Sequence, residues 1–105
     1  TWAQFDAQAN RVAAALQRDG LGPGDVVAVC AANSLAYVAL FVGALRAGLA
    51  VAPLAPSATH EQLLAMVADS GARRLFADHA LPTPPGVPLT RLDDGAFDAW
   101  LAPLG

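Results

Sequence analysis

An α/β fold, with a short, mainly parallel sheet and helices on both faces, is predicted by three features of this 105-residue sequence. First, segments with helical apolar spacing alternate with short apolar runs. Second, Val26-Val27-Ala28-Val29-Cys30 is β-branched and apolar throughout, as in a central strand. Third, the stretch from Leu45 to Pro56 reads as a helix end, a stop, a second strand and an extended exit. In it, Gly48 suits the left-handed position just past a helix, and Arg46 puts a cation in the last turn. Leu49 to Ala52 has the pattern of a strand covered on both faces. Pro53, lacking an N–H, is expected to end the ladder, and Pro56 to keep the exit extended.

The elements follow in order. Thr1 to Asp19 is a helix opened by a capping box of Thr1 and Gln4 and stopped by Gly20. Its inward face is Phe5, Ala9, Val12, Ala13 and Leu16. Leu21-Gly22-Pro23-Gly24-Asp25 is a turn into the Val26–Cys30 strand. Asn33 or Ser34 caps a helix from Leu35 to Ala47 that is apolar on every side and so must be covered on every side. Gly43 inside it is expected to admit another backbone. With the strand at Leu49–Ala52 this makes a βαβ unit, Rossmann-like in three layers, with a right-handed crossover expected. Thr59 and Gln62 form a second capping box for a helix over His60–Ser70, with Leu63, Leu64, Met66 and Val67 inward and Gly71 as its stop. Arg73 to Ala77 is a third strand. Asp78 to Pro88, with Pro82, Pro84, Pro85 and Pro88, is a loop. A fourth strand, cut by Pro88, is expected within Val87–Leu92, and Asp93 or Asp94 is expected to cap a last helix over Ala96–Leu101.

Composition narrows the function. The apolar share is 55 % and the charged share 14 %, against about 45–50 % and about 25 % in soluble domains. So apolar a chain is expected to hide a face against something else. The net charge is −3, arginine supplies all six cations, and lysine is absent. No basic stripe is present, which argues against nucleic acid. The single cysteine precludes an internal disulfide and fits a reducing, cytoplasmic setting. Leu35 to Leu45 would span about 17 Å as a helix, against about 30 Å of bilayer core, so no transmembrane segment is expected. Because the sequence opens at Thr1 on a helix cap, it reads as a piece of a longer protein.

Six positions invite a chemical reading, and each has a plainer one. Gly20-x-Gly22-x-Gly24 precedes a strand, whereas a phosphate loop follows a strand and opens a helix, so it is a turn. Cys30 ends an apolar strand with no histidine nearby in sequence and reads as a buried, inert thiol. His60 and His79 lack metal-ligand spacing and read as solvated surface residues. Asp93-Asp94-Gly95 has two carboxylates but no further ligand pattern, which suits a cap or turn. Asn33-Ser34 lies at the C-terminal end of a strand, where open α/β sheets bind ligands, yet reads first as a helix cap. Arg73 and Arg74 point to opposite faces of a strand and cannot form one clamp. No catalytic, cofactor-binding or metal-binding residue is assigned.

Five segments in order carry a resemblance: Thr1-Trp2-Ala3-Gln4-Phe5 with Ala9-Asn10-Arg11-Val12-Ala13; Gly22-Pro23-Gly24-Asp25-Val26-Val27-Ala28; Asn33-Ser34; Leu45-Arg46-Ala47-Gly48 through Pro53-Leu54; and Ala68-Asp69-Ser70-Gly71-Ala72-Arg73. Together they resemble the start of the adenylate-forming superfamily, from Thr1 to Asp78, although Ala32 replaces the usual proline before Asn33-Ser34. That family comprises acyl-CoA synthetases, aryl-CoA ligases, luciferases and peptide-synthetase adenylation domains. The resemblance implies ATP-dependent activation of a carboxylic acid to an acyl-adenylate, then transfer to a thiol, with ATP, Mg2+ and CoA as cofactors of the whole enzyme. The family's Ser/Thr/Gly-rich phosphate loop ending in lysine has no counterpart here. Residues 1–105 are therefore expected to be one α/β subdomain within a larger N-terminal domain, to hold no cofactor and to be inactive alone. The remainder of that domain is the expected partner. Pro53-Leu54-Ala55-Pro56 is nearer the acyl-CoA branch; an amino-acid adenylation domain is the alternative. A free-standing α/β module resembling a receiver is disfavoured because Ala31-Ala32 offers no acidic residue after the first strand. A remnant that binds a partner through its apolar helix is the third possibility.

Overall fold

The computed structural model describes residues 2–32, 34–55, 57–81, 86–92 and 95–102. Its elements are α1 (Trp2–Arg18), β1 (Val26–Cys30), α2 (Leu35–Arg46), β2 (Ala50–Pro53), α3 (His60–Ser70), β3 (Arg74–Ala77), β4 (Leu89–Arg91) and α4 (Ala96–Leu101). The strands form one sheet in the order β2-β1-β3-β4, and every neighbouring pair is parallel.

Strand residues alternate between two buried clusters, as the two-residue period of a strand requires. Val27, Val29 and Phe76 join Val12 and Leu16 of α1, Leu40 and Ala44 of α2, and Phe97 and Leu101 of α4. Ala28, Cys30, Leu75 and Ala77 join Leu63 and Val67 of α3. The layers are therefore α1, α2 and α4, then the sheet, then α3. The expected α/β architecture with helices on both faces is what forms.

Helix ends carry much of the local specification. α1 and α2 finish alike: the Gly20 and Gly48 amides donate to Gln17 and Leu45, and the Leu21 and Leu49 amides reach back to Leu16 and Ala44 at 3.0 and 2.9 Å. This motif needs a left-handed residue, and Gly20 and Gly48 have φ of +87° and +84°. Both bonds of the Thr59–Gln62 capping box are present, at 3.1 and 2.9 Å. Ser34 caps α2, its hydroxyl accepting from the Tyr37 amide at 3.1 Å. Thr1 of the first capping box, Asn33, Pro56, Pro82, Pro84 and Pro85 of the loop, and the proposed caps Asp93 and Asp94 lie outside the described residues. The N-cap of α4 is Gly95.

Three expectations are corrected and one is refined. β2 is an edge strand, exposed at both ends rather than covered on both faces; short alanine-rich strands read as central because alanine tolerates either setting. Pro53 is, as expected, the last residue of β2 and of its register with β1, the final rung being the Leu54 amide donating to the Val29 carbonyl at 2.8 Å. Ala50 likewise donates to Asp25, so alternation leaves the Pro53 nitrogen on the open edge, where no donor is needed. Met66 is exposed while Leu63 and Val67 are buried, and on α1 Ala15 joins the buried face. Finally, α2 is covered on one side only: Ala39, Leu40, Gly43 and Ala44 are buried, while Leu35, Val38, Phe41 and Leu45 are exposed.

β4 begins immediately after Pro88, whose carbonyl accepts from Leu75 at 3.0 Å. The proline therefore precedes the strand and is tied to it.

Candidate functional site

In an open parallel sheet, ligands bind beyond the carboxyl ends of the strands, where the strand order reverses. Here that point lies between β1 and β3, flanked by β2 on one side and β4 on the other. Ala31 and Ala32 leave β1, Asp78 and His79 leave β3, and the start of α2 stands beside them.

The polar groups there bind one another. Asp78 Oδ2 accepts from the Ala32 amide at 3.0 Å, and its Oδ1 is 2.7 Å from His79 Nδ1. The His79 hydrogen bond first, and the Ala32 amide second, hold the Asp78 carboxyl below its ordinary pKa. The Ser34 hydroxyl is used as a cap. Cys30 is buried, with Sγ 3.9 Å from the Ala55 carbonyl, and burial, then the charge of Asp78, push its pKa up. A protonated, enclosed thiol is a poor nucleophile. Asp78 is a clasp across the β1–β3 junction that the sequence did not mark, since it follows its strand as any loop aspartate would.

This clasp has a testable pH signature. A carboxyl with a lowered folded pKa adds stability above its unfolded value near 4, and that stability is lost as pH falls through the folded pKa. Asp78→Asn is expected to cost up to about 1 kcal/mol at pH 7, the scale of a partly exposed pair. It should also flatten the acid limb of stability against pH. Urea unfolding between pH 2 and 7 measures both, and parallel curves for the two proteins would reject the clasp.

A second polar cluster lies at the opposite end of the sheet. Arg74 Nη1 is 2.9 Å from Asp19 Oδ2, and its Nη2 donates to Thr90 Oγ1 at 2.6 Å. Its guanidinium lies over the Phe76 and Trp100 rings at 5.6 and 5.4 Å. Trp100 Nε1 donates to the same Asp19 oxygen at 2.7 Å. Burial lowers the Arg74 pKa, and the Asp19 carboxylate opposes that shift. Arg73 pairs with Asp25 at 3.4 Å, so the adjacent arginines do serve separate aspartates. A cavity of about 300 Å3 beside them is lined by Asp19, Arg73 and Arg74, but the carboxylate already balances the cation. Arg74 fastens the end of α1 to β4 and α4.

The other positions are soon placed. Gly20, Gly22 and Gly24 turn α1 into β1, with the Asp25 amide donating to the Gly22 carbonyl and the Gly22 amide to Asp25 Oδ2. His60 is an exposed first residue of α3, and His79 is paired rather than simply solvated. Asp93 and Asp94 lie outside the described residues. Arg46 reaches across to α1, 2.7 Å from Asp6 Oδ1 and 2.8 Å from Asn10 Oδ1. Among the described residues no group of three or more His, Cys, Asp or Glu could hold a metal, and no helix is long and apolar enough to cross a membrane. Among the described residues, the glycine-rich turn lies at the amino end of β1, and at the β1–β3 junction the Asp78 carboxylate, His79 Nδ1 and the Ser34 hydroxyl make hydrogen bonds within the fold.

Comparison with known proteins places these features in a family. The family model described as AMP-binding enzyme matches residues 1–98, past the Asp78 limit of the motif resemblance. Nonribosomal peptide synthetase kk1B of Curvularia clavata is 39 % identical over 99 residues, covering 90 % of this chain and 1 % of that protein. The N-terminal domain of FACL13 from Mycobacterium tuberculosis is similar at a TM-score of 0.82 and 27 % identity, over 96 % of this chain and 28 % of that one. O-succinylbenzoate coenzyme A synthetase (MenE) from Bacillus subtilis, in complex with ATP and magnesium ion, shares the fold at a TM-score of 0.83 and 19 % identity, over 100 % of this chain and 28 % of that one. This chain thus spans a small fraction of the peptide synthetase and about a quarter of each solved chain.

Proposed function

We propose, from the premise that this chain belongs to the family of AMP-binding enzymes, that it is the N-terminal structural part of an AMP-forming acyl-CoA synthetase. The whole enzyme would use ATP and Mg2+ to activate a carboxylic acid as its acyl-adenylate, then pass the acyl group to the thiol of CoA. Residues 1–105 form a single α/β subdomain in this reading. They contribute scaffold, and the reacting groups lie elsewhere in a cytoplasmic enzyme.

The observation that carries the adenylate-forming part is the family match over nearly the whole chain. The CoA part rests on the exit from β2, Pro53-Leu54-Ala55-Pro56, which is nearer the acyl-CoA branch. Leu54 of that exit is buried with Leu63 and Val67 of α3. A second reading, an amino-acid adenylation domain of a peptide synthetase, is supported by the curated relatives, among them the Curvularia clavata synthetase.

The test uses the full-length protein with ATP, Mg2+ and separate panels of fatty acids, aryl acids and amino acids. Pyrophosphate release is followed, and CoA thioesters are sought by mass spectrometry. Release with a fatty or aryl acid, together with its CoA thioester, is the expected result. Release with amino acids alone, and no thioester, would transfer the chain to the second reading. No release with any acid would overturn both.

A further inference from the structure

We draw no further inference here: the strongest candidate, the cavity of about 300 Å3 beside Arg73 and Arg74 at the amino end of the sheet, carries none, because both guanidiniums are already paired, Arg74 with Asp19 and Arg73 with Asp25, and the cluster belongs to the fastening of α1 to β4 and α4 described above.

Discussion

Leu40→Asp is expected to leave no folded protein. Leu40 is fully buried in the cluster it shares with Val12, Leu16, Val27 and Val29. Removing most of its apolar side chain costs about 2–5 kcal/mol. A carboxyl fully buried there has its pKa raised by about 3–5 units at 1.36 kcal/mol each, but it takes up a proton once that pKa passes 7, so at pH 7 the added cost levels off at about 4 kcal/mol. The sum matches the whole stability of a typical domain, about 5–15 kcal/mol. Leu40→Ala lacks the charge term and should stay folded with an unfolding free energy lower by about 2–5 kcal/mol. Soluble yield and urea unfolding of the three proteins separate the two terms. Ordinary yield and an unchanged midpoint for Leu40→Asp would show that this side of α2 is not core.

The second large effect is at Gly43, where α2 crosses α1. A Cβ added there would lie 2.5 Å from Val12 Cβ and 2.6 Å from the Ala9 carbonyl oxygen. The second contact is with backbone, so no rotamer change relieves it; the helices must part. Alanine gains about 1 kcal/mol of helix propensity over glycine. Overpacking a filled site costs about 1–3 kcal/mol and more when backbone has to move. Gly43→Ala is therefore expected to be net destabilising, by about 2 kcal/mol, and Gly43→Val by more. Gly22→Ala is the matched control: its Cβ meets nothing within 4 Å and its backbone is not left-handed, so it should be close to neutral. Chemical denaturation of the three variants gives the comparison. A stabilised Gly43→Ala would mean that α1 and α2 are not in contact at this point.

Gly43 also shows how far local pattern reaches. A glycine inside an apolar helix signals a close approach, and the approach is there. Which element approaches is not written in the helix; it is α1, through Ala9 and Val12. The all-apolar circumference of α2 likewise implied burial all round. The described chain supplies only one side of it, through α1 and the sheet.

The candidate site divides in the same way. Ser34 as a cap and Arg73 and Arg74 as separate side chains were legible, because capping geometry and strand alternation act over a few residues. The Asp78 clasp joins residues 46 positions apart, and Arg74 meets Asp19 across 55. No periodicity reports such pairs, since they exist only once strands from distant segments are hydrogen-bonded side by side.

By itself the sequence determined where the elements start and stop, their type, and the order of motifs that places the chain in its family. All of these depend on neighbours within about one turn or one strand, where backbone sterics and capping act. The tertiary structure alone decided that β2 lies at the edge, that the strand order reverses between β1 and β3, and that Asp78 and Arg74 find distant partners. It also decided that one apolar side of α2 is left bare. Those outcomes come from packing layers against one another, a free energy that belongs to pairs of elements and to neither member alone.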